Sequence, residues 1–129
     1  MTTIKPFRLL VCGSRWYRNT EHMAHILCIL HEKRPITILG HGKARGADVM
    51  SGEWAALRGI PVDEYAVNIK LDGKWPAAGI RRNQRMLNAF KPDGAIAFYE
   101  FGYNGTGTLD MVRRLKLANV PVVEIKDPC

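Results

Sequence analysis

The sequence predicts an α/β protein with a Rossmann-like three-layer fold and a mostly parallel sheet of about five strands. Three observations predict it. Short apolar runs bounded by turn residues recur along the chain, segments with helical spacing lie between them, and the runs are apolar throughout, as strands covered on both faces are.

The first strand is Arg8 to Cys12. Asn19 and Thr20 then offer a helix cap ahead of Met23, Ile26, Leu27 and Leu30, whose i, i+3, i+4, i+7 spacing places them on one helical face. Ile36 to Leu39 is the second strand. Ala47, Met50, Trp54 and Leu57 mark a second helix, stopped at Gly59 and Pro61, and Pro61 to Tyr65 is the third strand. Ala66 to Ala78 is the one long connection, carrying Lys70, Asp72, Gly73, Lys74 and Trp75, and its length marks a functional or disordered loop. Asn83, Met86, Leu87 and Phe90 define a third helix closed by Pro92, followed by a fourth strand, Gly94 to Phe98. Leu109, Val112, Leu115 and Ala118 give the fourth helix, and Pro121 to Ile125 the fifth strand. Right-handed crossovers place the first and fourth strands on either side of the switch point where such sheets bind ligands.

The 129 residues are expected to form a single domain, 1–129, and 47% hydrophobic with 24% charged residues is the composition of a soluble globular protein. Cys12, Cys28 and Cys129 form no CxxC pair, which argues against a disulfide framework or a zinc ribbon and for a reducing, cytoplasmic setting. Met1 to Phe7 lacks the apolar stretch of a signal peptide, and no run approaches the ~20 apolar residues of a membrane span, so no membrane association is expected. The net charge of +7 favours anionic partners. The bases are dispersed, however, in small groups at Lys43 and Arg45, at Arg81, Arg82 and Arg85, and at Arg113, Arg114 and Lys116, as on a solvated surface.

The glycines follow strand ends. Gly13, Ser14 and Arg15 come after the first strand, Gly40 to Asp48 after the second, and Gly102 to Thr108 after the fourth. All three loops leave the carboxyl edge of a parallel sheet and enter helix N-termini, where backbone N–H groups and the helix dipole favour phosphate. Any one of them reads as an ordinary turn; three on one edge read as an anion site. The segment at Lys43 is not GxxxxGK[ST], and neither the first nor the second loop completes GxGxxG, so a P-loop NTPase and a dinucleotide oxidoreductase are both disfavoured.

Val11 to Arg15, then Gly46, Ala47 and Asp48, then Gly79 to Met86, then Gly107 to Met111 together resemble the SLOG superfamily, in its small YspA/YpsA-related branch. The likeness runs from Arg8 to Ile125. It implies a Rossmann-like fold and a nucleotide-derived ligand, since the superfamily includes nucleoside 5′-monophosphate phosphoribohydrolases of the LOG type, DprA-type DNA-binding proteins and nucleotide sensors. The RKxxM motif of the LOG enzymes matches Arg82 and Met86, with Asn83 in place of the lysine; their PGGxGTxxE motif matches Gly105, Gly107 and Thr108, with Met111 in place of the glutamate. A carboxylate normally supports the oxocarbenium-like transition state of N-glycosidic cleavage. Asp110 or Glu100 is then the acidic participant of an enzyme, with Arg82 holding phosphate.

The expected ligand-binding residues are Gly13, Ser14, Arg15, Gly42, Gly46, Ala47, Asp48, Asn83, Gly105, Thr106, Gly107 and Thr108, with Asp48 as a ribose hydroxyl acceptor. Asp48 and Asp110 also read as first-turn acidic residues favoured by a helix dipole. His22 and His25 share a helix without a third ligand, so no metal is expected, nor any cofactor. Trp75 and Tyr17 offer rings to a nucleobase, although anchoring a loop or core is the commoner use of such residues. Three readings stay open: a nucleotide-binding protein with phosphoribohydrolase activity, a non-catalytic sensor or sequestering protein for a signalling nucleotide, and, as a lesser alternative, DprA-like binding of DNA or RNA. Pairing of related SLOG proteins implies a homo-oligomer.

Overall fold

A computed structural model describes residues 5–100 and 105–126 of the chain. Gly102, Tyr103 and Asn104 of the third glycine loop lie outside the described residues. The elements run β1 (Arg8–Gly13), α1 (Thr20–Lys33), β2 (Ile38–His41), α2 (Ala47–Leu57), β3 (Val62–Glu64), α3 (Ile69–Asp72), α4 (Ala78–Phe90), β4 (Gly94–Tyr99), α5 (Thr106–Leu117) and β5 (Val122–Lys126).

The five strands form one all-parallel sheet in the order β3-β2-β1-β4-β5. Its central strands are apolar on both faces because each face has its own core. Leu9 and Val11 of β1 and Ile96 and Phe98 of β4 pack with Met23 and Leu27 of α1 and with Ala47, Trp54 and Ala55 of α2. The alternate residues, Leu10 and Cys12 of β1 with Ala95, Ala97 and Tyr99 of β4, pack with Met86, Leu87 and Phe90 of α4 and Met111, Val112 and Leu115 of α5. The three layers follow from that alternation. Tyr17 belongs to the first core, buried with its ring centroid 5.3 Å from that of Phe98. Among the described residues no helix is long and apolar enough to cross a membrane.

Two elements depart from the sequence expectation. β2 is displaced two residues toward the C-terminus, so that Gly40 is a strand residue and not part of the loop. A Cβ on Gly40 would stand 2.8 Å from the Phe90 ring, so this glycine makes room for the α4 core. The 66–78 connection contains α3, a single turn too short to carry a periodic signal. Asp72 anchors it: the buried carboxylate accepts from Arg85 Nε at 2.8 Å, from Arg85 Nη2 at 2.9 Å and from the Asn68 N–H at 2.8 Å. The paired arginine holds the Asp72 carboxyl at about 2.

Candidate functional site

At the switch point between β1 and β4 the backbone is drawn together by residues that lack side-chain bulk. A Cβ on Gly13 would strike the Phe98 carbonyl oxygen and come within 2.7 Å of Ala47 Cβ. Ser14 N donates to Phe98 O at 2.9 Å, and Ser14 O accepts from Ala47 N at 3.2 Å, so the turn after β1 is tied both to β4 and to the start of α2. Gly46, at φ +78°, lies against the carbonyl groups of Ser14 and Arg15, where no other residue fits.

The loop between β2 and α2 has its own anion. Asp48 folds back from the first turn of α2, and its Oδ2 accepts from Gly42 N at 3.0 Å and Ala44 N at 3.3 Å. The intervening Lys43 N–H donates to His41 Nδ1 at 2.9 Å, with Lys43 at φ +57°. Burial lowers the His41 pKa and favours the neutral imidazole that can accept this bond. These three N–H groups are thus already engaged by the protein.

Burial pushes the Asp48 carboxyl up to about 6, against the opposing pull of the Ala44 N–H, the Arg82 guanidinium and the Gly42 N–H. A carboxyl raised on folding from 3.8 contributes stability that is complete below pH 3.8 and lost as pH rises through about 6. The loss at neutral pH is on the order of 3 kcal/mol. About half of this loss has already occurred at pH 5, so urea denaturation at pH 5 and pH 7.5 should show the remaining decline, about 1.4 kcal/mol, in the wild type. The Asp48→Asn protein, whose amide oxygen still accepts the two N–H bonds, should lack it; equal pH slopes in the two proteins would contradict this role.

On the other side of the edge, α4 and α5 present Arg82, Asn83 and the uncapped start of α5. Arg82 Nη1 donates to the carbonyls of Gly42 and, at 3.0 Å, Tyr65, while its Nε donates to Asn83 Oδ1 at 3.3 Å. A Cβ on Gly42 would stand 2.7 Å from the guanidinium, which accounts for glycine there. Asn83 Nδ2 donates to Gly107 O and to Asp110 Oδ2, each at 3.1 Å, and so joins α4 to the first turn of α5. Gly105 is the N-cap of α5 with no side-chain cap, and no acidic residue occupies the first turn. A Cβ at Gly105 or Gly107 would meet nothing within 4 Å. Among the described residues no side chain caps the N–H groups at the start of α5, those of Thr106, Gly107 and Thr108.

These segments enclose a cavity of about 710 Å³ lined by eleven of the residues expected from sequence: Gly13, Ser14, Arg15, Gly42, Asp48, Arg82, Asn83, Gly105, Thr106, Gly107 and Thr108. Gly46 and Ala47 support the lining from behind and do not contribute to it. Arg15, Lys43, Arg45 and Arg82 face Asp48 as the acidic residue among the described lining, so the cavity is strongly electropositive. Cys12 lies at its floor with the thiol pushed up by burial, which keeps it protonated.

Asp110 and Glu100 do not line the cavity. Asp110 accepts from Arg114 Nε at 2.7 Å and Arg113 Nη2 at 3.1 Å. Burial pushes its carboxyl up, but the hydrogen bonds from Arg114, Asn83 and Arg113 outweigh that and hold it below the usual range. Glu100 directly follows β4 and is half-buried. Sequence reasoning did not assign Trp16, Ile80 and Met111 to the lining; of the two rings it offered to a nucleobase, Trp75 lines the cavity and Tyr17 is buried in the core.

Residues 7–71 match the model of a family described as the YspA, cpYpsA-related SLOG family. The chain is also similar to the Gene 61 protein of Mycobacterium phage D29, with 32% identity over 126 residues, covering 93% of this chain and 97% of that protein. The family match spans β1 to α3, which carry the Gly13 turn and the Gly42–Asp48 loop, and the similarity to the phage protein extends across nearly the whole chain. The chain belongs to the YspA, cpYpsA-related SLOG family.

Proposed function

We propose that this protein binds a nucleotide-derived phosphate ester, with the phosphate on the N-terminus of α5. The observation that carries the reading is the first turn of α5, which no side chain caps, where a Cβ on Gly105 or Gly107 would meet nothing within 4 Å, and which lines a basic cavity. Family membership supports a nucleotide-related ligand in general. Arg15 supplies a guanidinium to the same cavity, and Arg82 acts through its hold on the Gly42 and Tyr65 carbonyls.

Binding without cleavage is the form of this activity that the side chains favour. Asp110, the expected acid, is neutralised by two arginines and lies outside the cavity lining, and Met111 occupies the position of the glutamate in the LOG motif. Asp48 is already occupied as the acceptor of two backbone bonds. The test is calorimetric titration with nucleoside 5′-monophosphates and the matching nucleosides, combined with chromatography for released base. Monophosphates should bind at least about tenfold more tightly than nucleosides, a difference of about 1.4 kcal/mol, with no base released. Equal affinity would overturn the phosphate assignment, and stoichiometry-exceeding base release would establish the phosphoribohydrolase reading instead.

A further inference from the structure

The cavity lining is of two kinds. One is the polar, uncapped start of α5. The other is apolar and comes from the connection into α4 and its first turn, where Trp75 is 62% exposed and Ile80 42% exposed, with Val67 and Pro76 also in the lining. A single exposed apolar side chain needs no explanation. Here, however, several line the same basic cavity, and the indole has a seat: a Cβ on Gly79 would stand 3.4 Å from Trp75 Cζ3 and 3.9 Å from Cη2. The ring edge rests over the first turn of α4 while most of its surface is left uncovered.

The segment that presents Trp75 is pinned. The Asp72–Arg85 pair ties α3 to α4, and Gly73, at φ +82°, turns the chain beneath the Arg81 guanidinium, which a side chain there would strike. An aromatic face on a fixed support loses little entropy when a planar ring settles on it. The volume of about 710 Å³ is far more than a bare anion needs and falls in the range of cavities that enclose organic ligands.

We infer that Trp75 forms a stacking wall for the planar heteroaromatic base of the ligand whose phosphate sits on α5. This rests on the phosphate reading above and adds the part of the ligand that reading leaves open. Stacking accepts any base and gains with overlap area, so purine nucleotides should bind more tightly than pyrimidine nucleotides.

The probes are AMP and ribose 5-phosphate, titrated calorimetrically into the wild type, Trp75→Ala and Trp75→Phe, with tryptophan emission as a second readout. The wild type should bind AMP about 5- to 150-fold more tightly than ribose 5-phosphate. Trp75→Ala should lose most of that advantage while keeping its affinity for ribose 5-phosphate, and Trp75→Phe should retain much of it. AMP should quench the wild-type emission more than that of Trp75→Phe. Equal wild-type affinities for the two probes, or an undiminished AMP advantage in Trp75→Ala, would overturn the stacking wall and leave the phosphate site standing. Failure of both probes to bind the wild type would overturn the phosphate site and the wall together. Circular dichroism of each variant establishes that the exposed substitution has not disturbed the fold.

Discussion

Gly107→Asp should fold at least as stably as the wild type and lose about 100-fold or more in affinity for a 5′-nucleoside monophosphate. A side chain at position 107 meets nothing within 4 Å, and the residue is not among those with positive φ, so the substitution is sterically free. Its carbonyl continues to accept from Asn83. An acidic residue in the first turn interacts favourably with the helix dipole, worth about 0.3 to 1 kcal/mol. The same carboxylate would take the N–H groups at the start of α5 and repel a phosphate, removing two or more charge-assisted bonds of about 1.5 to 3 kcal/mol each. Thermal melting and calorimetry on one preparation check both halves. Unchanged affinity in a folded variant would move the phosphate away from α5.

Gly46→Ala should cost roughly 4 kcal/mol of stability, combining a disfavoured backbone conformation with a steric collision. At φ +78° and ψ −125° the residue stands where L side chains are strained, and its Cβ would press on the Ser14 and Arg15 carbonyl groups. Relief would require separating the β1 turn from the start of α2, breaking the bond from Ala47 N to Ser14 O. In a chain of this size the melting temperature should fall by about 15 °C. Gly59→Ala is the matched control: φ is +71°, but the added Cβ meets nothing, so its cost should be only about 1 kcal/mol. Similar losses at both positions would mean that the loop crossing at Gly46 is not tightly packed.

The strands were legible because burial on both faces writes a continuous apolar run, which turns on either side delimit. The shift of β2 was not, since Gly40 reads as a turn residue until Phe90, fifty residues later, is known to fill the space beside it. A contact between distant segments leaves no local pattern. The converging glycine loops were legible from their positions after strands, but not the division of labour among them. Asp48 satisfies the Gly42–Ala44 loop from within, while the start of α5 has no such side chain. The engagement of Asp110 did have a local signal: Arg113 and Arg114 lie three and four residues beyond it, the spacing at which helical side chains meet. Trp75 was visible as a ring in a long connection, but its seat over Gly79 depends on the turn of α3 and the Asp72–Arg85 pair, neither of which periodicity reveals.

The backbone amides report most directly on where a phosphate sits. Titration of ribose 5-phosphate into the ¹⁵N-labelled protein should shift the amide resonances of Thr106, Gly107 and Thr108 downfield, as N–H groups gaining a charged acceptor do, and should leave those of Gly42, Lys43 and Ala44, already engaged by Asp48 and His41, little changed. Saturable shifts confined to Gly42, Lys43 and Ala44, or no saturable shifts at all, would contradict the assignment of the phosphate to α5.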